Sequence, residues 1–197
     1  MIKEQYATTY KACQGECNVP SDSGIPVKPS TSGDIFSKIE QARQMWEEHG
    51  EQLLSDPGIK SALEDLSGAI EDNWALMRRL KVVDLCGRCA TEIEGGGCCG
   101  AGIEEWYDSF VLLMNLMMGK EIPQTRLDKT GCLFLGPSGC LLKARFHFCI
   151  NYLCHRIKDN LTQSELRELA AGNGREIYCG WVLENAIREK LETLQPR

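Results

Sequence analysis

The sequence predicts a mostly α fold: a helical hairpin and closing helices around a cysteine-rich region with one small β-hairpin. Three observations predict it. Apolar residues recur at helical spacing over residues 34–54, 59–80, 103–118 and 176–194. Eight of the eleven cysteines fall between Cys86 and Cys154. Residues 131–142 read as two short apolar segments around a Gly-Pro-Ser-Gly turn.

Residues 1–33 form an N-terminal arm and linker, in which Cys13 and Cys17 precede a turn-rich stretch from Pro20 to Gly33. A single helical domain is expected over 34–197. Asp34 is a start signal for the first helix, whose stripe is Ile35, Ile39, Ala42 and Trp46. Ser55-Asp-Pro-Gly58 breaks it, and the second helix carries Leu63, Leu66, Ile70, Trp74 and Met77 on one face. So short a connection predicts an antiparallel pair with Trp46 and Trp74 packed between the two helices.

Six glycines between positions 87 and 102 predict irregular backbone after Cys86. Helical spacing resumes at Ile103, Trp106, Phe110, Leu113 and Met117. The neighbouring leucines and methionines widen that stripe until the helix reads as buried almost all round. In the hairpin, each strand is expected to start with a cysteine, Cys132 and Cys140. Cys149 and Cys154 lie in a turn or short helix, with His147 and His155 beside them. Thr162-x-x-Glu165 is a capping box opening a helix to about Ala171, and Gly172-Asn-Gly174 is expected to end it. A last helix then starts near Glu176, with Cys179 in its first turn.

A net charge of −6 without a basic stripe argues against a nucleic-acid partner. The N-terminus has no signal-peptide pattern and no segment is apolar enough to span a bilayer, so neither a membrane partner nor a secretory route is expected. The expected location is the cytoplasm. There, clustered cysteines are metal ligands or redox groups before they are disulfides, and the odd count of eleven fits a disulfide framework poorly. The expected metal-binding core spans about residues 82–158. Its candidate ligands are Cys86, Cys89, Cys98, Cys99, Cys132, Cys140, Cys149 and Cys154. Cys86-x2-Cys89 has the spacing at which two sulfurs reach one metal. Adjacent side chains diverge, so one of Cys98 and Cys99 is expected to ligate while the other packs, bridges or serves a second site. No paired-carboxylate or Ser-His-Asp arrangement is visible, and Glu92, Glu94, Glu104 and Glu105 read as a solvated acidic rim.

The array Cys86-Gly-Arg-Cys89, Gly97-Cys-Cys-Gly100, Gly131-Cys-Leu-Phe-Leu135, Ser138-Gly-Cys-Leu-Leu142 and Lys143-Ala-Arg145 before Cys149 resembles a known family. It is similar to the zinc- or iron-chelating proteins with a CxxCxxCC signature (the YkgJ-like proteins), over about residues 82–158. Eight residues, Ala90 to Gly97, separate Cys89 from the adjacent pair here, where that family usually has two. A related domain in flagellin lysine N-methylases is associated with an iron–sulfur cluster.

Four thiolates satisfy either one zinc ion or one cubane cluster. The apolar residues around the cysteines, among them Leu133, Phe134, Leu135, Phe146 and Phe148, make a 4Fe–4S cluster the first expectation and zinc the close alternative. The expected function is therefore non-catalytic: electron transfer, redox sensing or metal handling, with a protein redox partner in the first case. A zinc-stapled interaction module and an accessory part of a methyltransferase-type enzyme are the alternatives. Against the enzyme, no glycine-rich strand–loop–helix is present to hold a nucleotide.

Overall fold

The computed structural model describes residues 34–92 and 97–194. Helix α1 (Ile35–Ser55) starts where the sequence places it, with the Asp34 carboxylate accepting from the Ser37 N–H at 2.8 Å. Asp56 is the whole connection to α2 (Pro57–Arg79). Its N–H bonds the Leu53 carbonyl behind it, and its carboxylate accepts from the N–H groups of Gly58 and Ile59 ahead. Pro57 opens α2, where its missing N–H costs nothing.

The hairpin's two arms find their main partners elsewhere. Helix α1 packs most extensively on α4 (Ser109–Met117), and α2 on α7 (Gln163–Leu194). Ile35, Ile39 and Leu53 meet Leu66 and Ile70, Leu112 and Leu113, and Leu183 and Ile187 in one core. Trp46 and Trp74 lie half-buried against it, as core residues. Each such Leu or Ile contributes roughly 1.5–3 kcal/mol by leaving water.

Several expectations are corrected. The first concerns the backbone after Cys86, which is not irregular from that point. Lys81, at φ +57°, turns the chain into α3 (Val82–Glu92), so Cys86 and Cys89 sit one turn apart on a helix. The pattern at 103–118 is also not one helix. Ile103–Trp106 is a 3-10 turn, Tyr107 and Asp108 are extended, and Asp108 caps α4 by accepting from Phe110 and Val111 at 2.9 Å each. An aspartate two residues into an apolar run competes for the backbone and restarts the helix. Helix α4 is nonetheless buried nearly all round, and Met114 and Met117 are core residues.

The third correction is α7, which runs unbroken for 32 residues through Gly172 and Gly174. Gly172 is there for close approach. A Cβ on it would stand 2.8 Å from Leu76 Cδ2 and 3.0 Å from Asn73 Oδ1 on α2. The capping box before this helix forms as expected, with Thr162 and Glu165 bonding each other's backbone N–H.

The hairpin is smaller than expected. Strands β1 (Leu135–Gly136) and β2 (Gly139–Cys140) pair antiparallel, Leu135 opposite Cys140. Cys140 therefore ends its strand. Cys132 precedes β1 and belongs to a different pairing: its N–H bonds the Cys99 carbonyl at 2.7 Å, beside a bridge between Gly100 and Gly131. Two short helices complete the chain, α5 (His147–Asn151) and α6 (His155–Asn160).

Candidate metal centre

The eight cysteines arrive on separate elements that pack together at one place. Helix α3 carries Cys86 and Cys89, and the 3-10 turn Gly97–Cys99 carries the adjacent pair. Gly97 makes that turn possible, because its φ of +60° is a conformation few side chains tolerate. Cys140 ends β2, Cys149 lies on α5, and Cys154 caps α6. Helix α3 contacts the turn, β2 and α6, which is how the sites converge.

They meet at the seam between two apolar clusters. Cys132, Cys140 and Cys149 lie against the main core. Cys86 and Cys154 lie against a smaller one made of Met77, Leu80, Val82, Ile157 and Leu169. Aromatic rings close the side near Cys149. Trp106 meets Phe148 edge-on at 4.7 Å, Tyr107 meets Phe134 at 4.9 Å, and Phe148 stacks on Tyr152 at 4.9 Å. Water is kept from that side.

The thiols feel each other's charge. Burial pushes Cys86 up to about 11, with further upward contributions from Cys99, Cys154 and Cys89. It pushes Cys149 up to about 12, helped by Cys140 and Cys99. Cys132 and Cys140 are raised too, chiefly by burial. In the adjacent pair a hydrogen bond between the two sulfurs decides which ionises: Cys98 is raised and Cys99 lowered. Ionising several of these buried thiols together would set like charges side by side, which a bound metal cation makes favourable.

No disulfide joins any cysteine among the described residues. Nor, among the described residues, do three Cys, His, Asp or Glu side chains stand close enough together to grip one ion. Eight sulfurs share the neighbourhood, and the single gripping point expected from the sequence is not formed in this conformation. The donor set fits a soft metal or a cluster by its chemistry, its low exposure and its origin in six chain segments.

Four polar residues near the thiols take roles that were not read from sequence. Tyr107 is fully buried and its O–H points to Cys149 Sγ at 4.0 Å. Burial holds its phenol well above the usual range, and Cys140 and Cys149 push it further. Arg145 is buried between α2 and α7, against Met77 and Glu176. Asn115, on α4, ties down the strand-to-α5 connection at Lys143 and Ala144. Glu104 corrects the acidic-rim expectation. It is fully buried, ion-paired with Arg126, and accepts from the Gly102 N–H at 3.0 Å and more weakly from the Leu133 N–H at 3.4 Å. It braces the loop that carries Cys132. An isolated Glu in a Glu-Glu pair gives no sequence signal of this, whereas Arg145 stood in the cysteine array from the start.

His147 and His155 are exposed, and His147 lies tilted on the Phe146 ring. Cys179 is mid-helix on α7 rather than in a first turn, so no helix terminus activates it, and burial raises its pKa. Cys13 and Cys17 lie outside the described residues. No helix among the described residues is long and apolar enough to cross a membrane. No protein-family model, curated protein or solved structure matches the chain.

Proposed function

We propose that this protein is a non-catalytic iron–sulfur protein, holding a 4Fe–4S cluster through cysteine thiolates and serving electron transfer or redox sensing. The observation that carries the reading is a set of thiols from several chain segments lying against the same two apolar clusters, with no disulfide among the described residues. Cys86, Cys99, Cys140 and Cys149 come one each from α3, the 3-10 turn, β2 and α5. These are the proposed ligands. Cys89, Cys98, Cys132 and Cys154 stand next to them as alternates or as occupants of a second site.

When bound, the cluster supplies one-electron exchange at a potential set by charge, hydrogen bonds to sulfur and solvent exclusion. The chain's own residues provide those conditions. The four thiols give up their protons as the site loads. Tyr107 donates toward Cys149 Sγ, stabilising a thiolate there. Trp106, Phe134, Phe146 and Phe148 exclude water from the same side.

Anaerobic purification with iron and sulfide analysis tests the reading. A brown protein carrying about four irons and four acid-labile sulfides per chain supports it. A colourless protein with stoichiometric zinc replaces it with the zinc-stapled alternative, and a protein free of both metals removes it.

A further inference from the structure

We infer that the groove beside Cys140 is a docking surface for the acidic face of a partner protein, the one-electron carrier with which the proposed centre exchanges electrons. The inference rests on the proposed metal-binding reading and adds to it the partner's chemistry and its place of approach.

The groove encloses about 280 Å3, and Cys140 and Leu141 line it together with Arg78, Lys120, Lys143 and Glu71. Three cations against one carboxylate leave it net positive, on a chain whose total charge is −6. The cations arrive from three places in the fold: Arg78 in the last turn of α2, Lys120 in the turn after α4, and Lys143 in the segment after β2. The C-terminus of α2 by itself accounts for a cation at Arg78. It does not account for the two lysines. Asn115 presents both of them: its backbone carbonyl accepts from the Lys120 N–H at 2.9 Å, and its side-chain Oδ1 accepts from the Lys143 N–H at 2.7 Å.

Little among the described residues neutralises these charges. Lys143 meets Glu71 only at 3.6 Å, with the Glu71 side chain 72% exposed, and a surface pair of that kind is worth little. Among the described residues no carboxylate pairs with Arg78 or Lys120, and both are exposed.

The groove lies just under the roughly 300–1,000 Å3 of small-molecule pockets, so it suits one or two side chains from a surface laid across it. Leu141, 46% exposed, adds an apolar contact among the charges, the mixture of a protein interface. Carboxylates are the side chains that complement the lysines, and such complementarity speeds encounter and fixes orientation. Cys140, one of the four proposed ligands, lines the groove, so a partner docked there sits beside a ligand sulfur. The exchange moves one electron between partner and centre: one is oxidised as the other is reduced, and no bond forms or breaks.

The test uses the full chain, purified anaerobically and again after metal removal, with a fluorescent decaglutamate peptide as probe and anisotropy as readout. Wild type should bind it with an affinity that falls as salt rises. Lys120→Glu combined with Lys143→Glu should bind about 10-fold more weakly. Lys60→Glu combined with Lys158→Glu changes two exposed lysines elsewhere by the same net charge, and should bind nearly as well as wild type. A second readout asks whether the groove opens onto the sulfur. In metal-free protein, the rate of Cys140 alkylation by anionic iodoacetate relative to neutral iodoacetamide should fall about 3-fold in the Lys120, Lys143 double variant.

Equal losses in the two double variants overturn the inference, as do an unchanged ratio at Cys140 and a wild type that does not bind the peptide. Displacement of the peptide by millimolar phosphate at fixed ionic strength overturns it too, by marking a small-anion site. Should the double variant fail to fold, Lys120→Glu alone decides. A chain that carries neither iron nor zinc defeats the metal-binding reading instead, and the acidic-partner surface still stands or falls on the two readouts.

Discussion

Asn115 on α4 holds Ala144 by both of its backbone groups: Nδ2 donates to the Ala144 carbonyl at 2.9 Å, and Oδ1 accepts from the Ala144 N–H at 3.1 Å. The same amide also accepts from Lys143 N–H at 2.7 Å and donates to the Val111 carbonyl at 2.8 Å. Every capacity of a fully buried side chain is used, and the segment so fixed leads directly into Arg145 and α5. Asn115→Ala leaves buried backbone groups unpaired and should cost about 3 kcal/mol in urea denaturation. It should also lower metal retention, because Cys149 loses its anchor.

Glu104 makes the corresponding brace for Cys132. Burial alone would raise its carboxyl pKa, but the hydrogen bond and charge of Arg126 and the backbone donors hold it below the usual range. A depressed carboxylate contributes stability above its unfolded pKa of about 4.3 and loses it as pH falls through the folded value. Wild type should therefore lose stability on acidification below about pH 5, and Glu104→Gln should show a shallower acid slope. Glu104→Ala should destabilise by about 1–3 kcal/mol at neutral pH, measured by thermal melting, since it leaves the Gly102 and Leu133 N–H groups without their acceptor.

The raised thiols predict a second, opposite pH effect. Cys86 at about 11 and Cys149 at about 12 stay protonated in the metal-free fold where the unfolded chain ionises. That stability is present below the unfolded thiol pKa, and it falls as pH rises from there toward the folded values. Metal-free protein should lose up to about 1.4 kcal/mol per pH unit for each such thiol above pH ~9. Loaded protein should not, because its thiolates are already ionised. Calorimetric titration with Zn2+ in buffers of different ionisation enthalpy should show protons released on binding. Binding without proton release would contradict the neutral-thiol description.

Two glycines on α7 should respond in opposite directions. Gly172→Ala drives a methyl into Leu76 and Asn73 and should destabilise by about 1–3 kcal/mol. Gly174→Ala meets nothing within 4 Å and should stabilise by up to about 1 kcal/mol. Equal effects in chemical denaturation would mean that α7 does not press against α2 at Gly172.

The contrast between these glycines shows where sequence reading stops. Gly172-Asn-Gly174 has the composition of a helix end, and local propensity favours one. What keeps α7 going is tertiary: Asn173 and Glu176 reach Asn73 across the helix contact, and only glycine allows that approach. The caps at Asp34 and Thr162 were legible because both partners lie within three residues of each other. Asp108 was not, since a lone cap inside an apolar run is outvoted by the periodicity around it. The cysteine-rich region was visible in the spacing, although the single gripping point expected there is not formed among the described residues. Its buried polar surroundings were not, because Tyr107, Asn115 and Arg145 acquire their roles through contacts 28 to 68 residues away in sequence.

The central claim is that Cys86, Cys99, Cys140 and Cys149 are thiolates bound to one inorganic centre. Residue-resolved alkylation of anaerobically purified protein, read by mass spectrometry before and after metal removal, tests it most directly. The account predicts that these four resist alkylation in the loaded protein and react once iron or zinc is stripped. Alkylation of all four at unchanged rates, with and without metal, would contradict it.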